Sequence, residues 1–110
     1  MDELERYKPI AEAISLLLFP HAEVVIHNLH TGFIGAIFNN LSKRAPGDES
    51  SLDESDRLPD NQDVFPPYFK INWDGKKMKS VTAVLRSSRG KAVGLLCINL
   101  DIGVWGAMEQ

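Results

Sequence analysis

Two groups of strand-forming runs, split by a long polar stretch, constrain this chain more than any other feature. Glu23 to Leu29 and Phe33 to Phe38 are rich in β-branched and aromatic residues, with His30-Thr31-Gly32 as a turn between them. Tyr68 to Trp73, Val81 to Arg86 (or from Met78) and Ala92 to Leu100 form the second group, joined by Asp74-Gly75 and Ser88-Arg89-Gly90. Asp-Gly is a strong hairpin signal, because a tight turn needs positive φ and glycine adopts it without steric cost. Between the groups, Asn39, Asn40, Ser42, Pro46 and Gly47 break any strand pattern. One or two short helical turns are expected there, between Leu41 and Arg57.

Ahead of the strands, Leu4, Tyr7, Ile10, Ala11, Ile14, Leu17 and Leu18 recur at helical spacing. The pattern predicts an N-terminal helix within 1–20, with Pro9 in its first turn or kinking it. The helix should stop near Phe19, since the residue before Pro20 avoids the helical region. Helix, two strands, irregular stretch and three strands describe an α+β domain: antiparallel strands with helices segregated to one face. With 110 residues, 44% hydrophobic and 25% charged, the chain suits a single domain spanning 1–110 around one core.

The net charge of -3 gives no general attraction for nucleic acid. Its distribution is uneven. Asp48, Glu49, Asp53, Glu54, Asp56, Asp60 and Asp63 face only Arg57, so 48–67 reads as a solvated acidic loop ending at Pro66-Pro67. Cys97 stands alone, which excludes an intrachain disulfide and a cysteine-rich zinc site. His21, His27 and His30 lack a carboxylate or cysteine at ligand spacing on one face, so no metal and no other cofactor is expected. Met1-Asp2-Glu3 lacks the basic start of a signal peptide, and the apolar run Ile14 to Pro20 is too short to span a membrane. A cytoplasmic protein without a membrane partner is the expectation. No Gly-x-Ser-x-Gly frame and no glycine-rich phosphate loop is present. Lys76-Lys77-Met78-Lys79 lacks an array of stacking aromatics beyond Trp73, and fits a charged strand edge that resists aggregation.

Several short pieces, in order, carry a likeness to a known family. They are Glu23-Val24-Val25-Ile26-His27-Asn28, Ile37-Phe38-Asn39-Asn40 and Ser42-Lys43-Arg44-Ala45-Pro46-Gly47. Asp74-Gly75, Lys79-Ser80-Val81-Thr82, Gly90-Lys91-Ala92-Val93-Gly94 and the closing Leu96-Cys97-Ile98-Asn99-Leu100-Asp101 follow. With them the chain resembles the YheO-like PAS domains of bacterial transcription regulators over nearly its whole length. It departs at Asn28, where an aspartate is common, and at Ser42-Lys43-Arg44, which replaces a small-Gly-Arg triplet. The resemblance implies a five-stranded antiparallel sheet in the order 2-1-5-4-3, with Ala92 to Leu100 at its centre. It also implies a C-terminal helix-turn-helix for DNA binding. The tail 102–110 is too short for such a reader, so this chain corresponds to the sensor portion, and DNA contact is expected only through a segment absent from it.

The resemblance puts the ligand region between the sheet and the connection after the second strand. Polar groups expected to converge there are His27 or Asn28, Asn39, Ser42, Arg44, Tyr68, Ser80 and Asn99, with Ile26, Ile37 and Leu95 as apolar walls. Arg44 suits a clamp for a carboxylate, and its equally simple alternative is an exposed turn. His27 also suits a hydrogen-bonded structural role, and Cys97 a small buried hydrophobe. The expected ligand is a small polar metabolite. Leu16, Leu17, Leu18 and Phe19 run consecutively, more apolar surface than one helix stripe needs, so a homodimer is expected, with Trp105 joining the contact. The function read here is a ligand-sensing and dimerising module of a transcription regulator. A ligand-free dimerisation module is the alternative. A small enzyme is the remote one, because no convergent acid–base pair is visible.

Overall fold

The computed structural model describes residues 3–50 and 61–103. A 3-10 helix, Glu3–Tyr7, leads into α1, Lys8–Leu18, and the change of helix type falls where Pro9 enters the first α-turn. Proline fits there because its missing N–H would have no intrahelical acceptor. α1 ends before Phe19, whose ψ of 136° is extended, as a residue preceding proline requires.

The strands are β1 (Ala22–Asn28), β2 (Phe33–Phe38), β3 (Tyr68–Ile71), β4 (Lys77–Arg86) and β5 (Ala92–Asp101). They form one antiparallel sheet in the order β2-β1-β5-β4-β3, with β5 buried between β1 and β4. The architecture is α+β with an N-terminal helix, as the sequence implies. Strand ends shift by one to several residues; β4 begins at Lys77 because β3 pairs with it from there.

Both hairpins of the second group use the same device. Asn72 N–H donates to the Lys76 carbonyl, and Gly75 N–H donates back to Asn72, with Gly75 at φ 85°. Ser87, Lys91 and Gly90 repeat this geometry. The turns are therefore three-residue loops closed by a left-handed glycine, not two-residue ones.

The two sheet faces are unlike. Leu4 and Ala11 pack on Val24, Ile26, Ala36, Leu85 and Leu96, with Tyr7, Ile14 and Phe38 at the margin. At this face Leu4 closes so tightly on Gly94 that a Cβ there would lie 2.5 Å from its Cδ2 and 2.7 Å from the His27 carbonyl oxygen. Strand alternation turns Glu23, Val25, His27, Leu95, Cys97, Asn99, Met78, Ser80, Thr82 and Val84 to the opposite face. Ile26, expected to wall the ligand region, belongs to the helix side.

The connection from Asn39 packs on that second face. Its described residues 39–50 contain bends, turns and a bridge between Glu49 and Phe33, and no helical turn. Gly47 and Asp48 bond to Ile34, and Ser50 N–H donates to the Gly32 carbonyl, so backbone pairing with β2 replaces the helix expected there. Residues 51–57, the rest of that expectation, lie outside the described residues, as does Trp105. Further along, Phe65 N–H donates to Thr82 and Val84 N–H to Asp63, which extends the sheet edge beside β4.

Candidate functional site

One row of side chains crosses the second face. Tyr68 pairs with Ser80, Ser80 with Asn99, and Asn99 with Glu23, on four consecutive strands. Ser80 Oγ donates to Asn99 Oδ1 at 2.7 Å, and Asn99 Nδ2 donates to Glu23 Oε1 at 2.9 Å. Ser80, Asn99 and Glu23 are 1%, 2% and 1% exposed, so burial in the sheet makes these bonds obligatory.

The connection completes the chain of bonds. Glu23 Oε2 accepts from the backbone N–H groups of Leu41 and Ser42, each at 2.9 Å, and from Ser42 Oγ at 2.6 Å. Arg44 Nε donates to Ser42 Oγ, and Arg44 Nη2 reaches Glu23 Oε1 at 3.4 Å. Burial alone would raise the Glu23 pKa. The bonds from Ser42 and Asn99, with the Arg44 charge, outweigh it and hold the carboxyl below its ordinary value. Glu23 is thus an ionised anchor that ties the connection to the floor of the sheet.

Five further hydrogen bonds fix the same segment. Asn39, at φ 55°, donates from Nδ2 to the carbonyls of Pro20 and Ala22. Asn40 Nδ2 donates to the Arg44 carbonyl. The Leu41 carbonyl accepts from Asn72 Nδ2 and Trp73 Nε1, which docks the β3–β4 hairpin, and the Lys43 ammonium lies 3.9 Å from the centre of the Trp73 ring. Between this segment and the hairpin opens a concavity of about 360 Å³, floored by Met78 and edged by Leu41, Asn72, Lys76 and Asp101.

The sequence-derived residues separate into groups. Ser42, Arg44, Ser80 and Asn99 come together around Glu23, and Tyr68 ends their row at the sheet edge, 47% exposed. His27 shares the face, buried next to Leu95 and Ile34 in register, away from that cluster. Asn39 lies at the start of the connection with its amide on backbone carbonyls. Asn28 does not join the cluster: it points to the helix side, and its Oδ1 caps the β1–β2 turn by accepting from His30 and Thr31. Glu23 itself was not among the residues singled out. Its signal was a charged residue alternating in phase with the inward-facing Val25 and His27. Lys70 on β3 is a second such residue, in register with Met78 on the same face.

A family model for the YheO-like PAS domain matches residues 1–110. The chain belongs to the YheO-like PAS family. It is 47% identical over 102 residues to the transcriptional regulator DauR of Pseudomonas aeruginosa, covering 93% of this chain and 49% of that protein. It is 30% identical over 118 aligned residues to the uncharacterized protein YheO of Escherichia coli K12, covering 94% of this chain and 46% of the other. The chain spans about half the length of these curated relatives. A crystal structure of a C-terminal domain from Streptococcus mutans superposes with a TM-score of 0.53 at 16% identity, covering 90% of this chain and 89% of the other, which speaks for the PAS-like fold alone. Among the described residues no cluster of His, Cys, Asp and Glu could hold a metal ion, and no helix is long and apolar enough to cross a membrane.

Proposed function

We propose that this YheO-like PAS domain is the small-molecule-sensing and dimerising part of a bacterial transcription regulator, acting in the cytoplasm, without catalysis and without a cofactor. The observation that carries the reading is the bonded chain Ser80–Asn99–Glu23–Ser42–Arg44. It runs from the sheet floor into the connection, so a molecule touching the floor acts directly on one of the groups that position that connection. A ligand that prefers one arrangement of the connection shifts the population toward it by its difference in affinity. The name of the Pseudomonas relative supports a regulatory setting. In that setting DNA is contacted by a helix-turn-helix elsewhere in the protein.

The dimer surface in this reading is the outer side of α1. Ile10, Leu16, Leu17 and Phe19 are 55%, 67%, 83% and 61% exposed, a concentration of apolar surface expected of a contact. A thermal-shift screen of polar metabolites tests the sensor reading. A stabilising ligand whose effect disappears in Ser80→Val, on a dimer by light scattering, supports it. A dimer that no metabolite stabilises supports the ligand-free module, and a monomer removes the dimer.

A further inference from the structure

Lys70 is half-buried on the second face, and no hydrogen bond or ion pair engages its ammonium among the described residues. Burial lowers its pKa and the nearby Arg44 charge lowers it further, against smaller opposite effects of Cys97 and Glu23. Two cations therefore face the same polar floor. The carboxylates around them are occupied. Glu23 already accepts five donors, from Leu41, Ser42 (twice), Arg44 and Asn99. Asp101 accepts from the Gly103 N–H and pairs with Lys76 at 3.6 Å. Arg44 directs Nε and Nη2 into Ser42 and Glu23, which leaves the rest of its guanidinium fork without a bonded acceptor among the described residues.

We infer that Lys70 and Arg44 form an anion site for a small organic acid carrying one negative charge, with Lys70 as its principal anchor. This deepens the sensor reading and rests on it. The charge count sets the class: Glu23 against Arg44 and Lys70 leaves a single positive charge, which one carboxylate neutralises. The surroundings set the rest. Thr82, on the strand paired with Lys70's own, carries a hydroxyl on the same face, and Tyr68 lies two residues from Lys70 on its side of the strand. Met78, the cross-strand partner of Lys70, also lines the concavity beside the connection. A bound carboxylate would relieve the repulsion between the two cations, and its contact with Arg44 would compete with Glu23 for that guanidinium. That competition links occupancy to the hold of Glu23 on the connection.

Pyruvate is a suitable probe, with glycolate, succinate, inorganic phosphate, propylamine and propanol alongside. The full chain is titrated and followed by the lysine ε-carbon and backbone amide NMR signals. Pyruvate or glycolate should move the Lys70 signal and raise its titration midpoint. Lys70→Met should weaken that binding about tenfold to a hundredfold. Lys70→Arg, which keeps the charge, should retain most of it, and Lys79→Met, on the opposite face, should leave it unchanged. The amide spectrum of each variant reports whether it is folded. Acid binding in Lys70→Met equal to the parent's overturns the anion site and leaves the sensor reading standing. So does second-face binding confined to propylamine or propanol, and a clear preference for succinate or phosphate overturns the single charge. If no probe moves any second-face signal, the anion site falls, and the metabolite screen alone decides the sensor reading.

Discussion

Replacing Glu23 by glutamine removes a charge from a position 1% exposed while keeping its shape. The glutamine carbonyl oxygen can take the place of Oε2 and keep Leu41 and Ser42 as donors. Its NH2 then meets the donors Asn99 Nδ2 and Arg44 Nη2 where Oε1 stood. Asn99 can turn its amide round, since the Ser80 hydroxyl both donates and accepts. Arg44 has no such remedy. The loss comprises one charge-assisted bond to Arg44 and the weakening of four others, against a smaller desolvation cost for the neutral side chain. A net loss of about 2–4 kcal/mol follows at neutral pH, a large fraction of the stability of a small domain. The pH dependence has a definite sign. The folded carboxyl titrates below its ordinary value of 4.5, so its contribution is present above about that pH and disappears as pH falls through the folded value. Urea unfolding at pH 7 and at pH 3 should show a wide gap between parent and Glu23→Gln at the first and a narrower one at the second. A variant within about 0.5 kcal/mol of the parent at pH 7 would refute the anchor role, given the ordinary scatter of exposed substitutions.

Three other changes probe separate parts of the structure. Gly94→Ala forces a methyl against Leu4 and a backbone carbonyl, and should cost about 1–3 kcal/mol by chemical denaturation. Asn39→Gly keeps the positive φ and loses only the bonds to Pro20 and Ala22, whereas Asn39→Ala loses both, so alanine should be the worse of the two by about 1 kcal/mol in the same assay. Leu17→Glu, at the most exposed apolar position of α1, should leave the thermal midpoint of the monomer near the parent's while light scattering shows the dimer lost.

The fold was legible because its signals are local. Alternation in Glu23 to Leu29 and Ala92 to Leu100, glycines at the turns and Pro20 after the helix each act within a few residues. The strand order came from family resemblance, since periodicity alone does not say that β5 lies between β1 and β4. The site was legible in part. Ser42, Arg44, Ser80 and Asn99 meet, but the residue on which they meet, Glu23, reads in sequence as an ordinary charged strand end. Only the register, which sets it opposite Asn99, and the return of the connection over it reveal five donors aimed at one carboxylate. Asn28 illustrates the reverse. It neighbours His27 in the chain, yet strand alternation sends it to the other face, where a turn uses its carbonyl. The helical turns expected after Leu41 are absent from 41–50, because Gly47 and Asp48 find their backbone partners on Ile34 instead.

Native mass spectrometry of the chain after incubation with a bacterial small-molecule extract tests the central claim most directly. A dimer mass carrying one small acid per protomer is expected, with the adduct strongly reduced in Lys70→Met. A bare dimer, or an adduct that Lys70→Met retains in full, would contradict it.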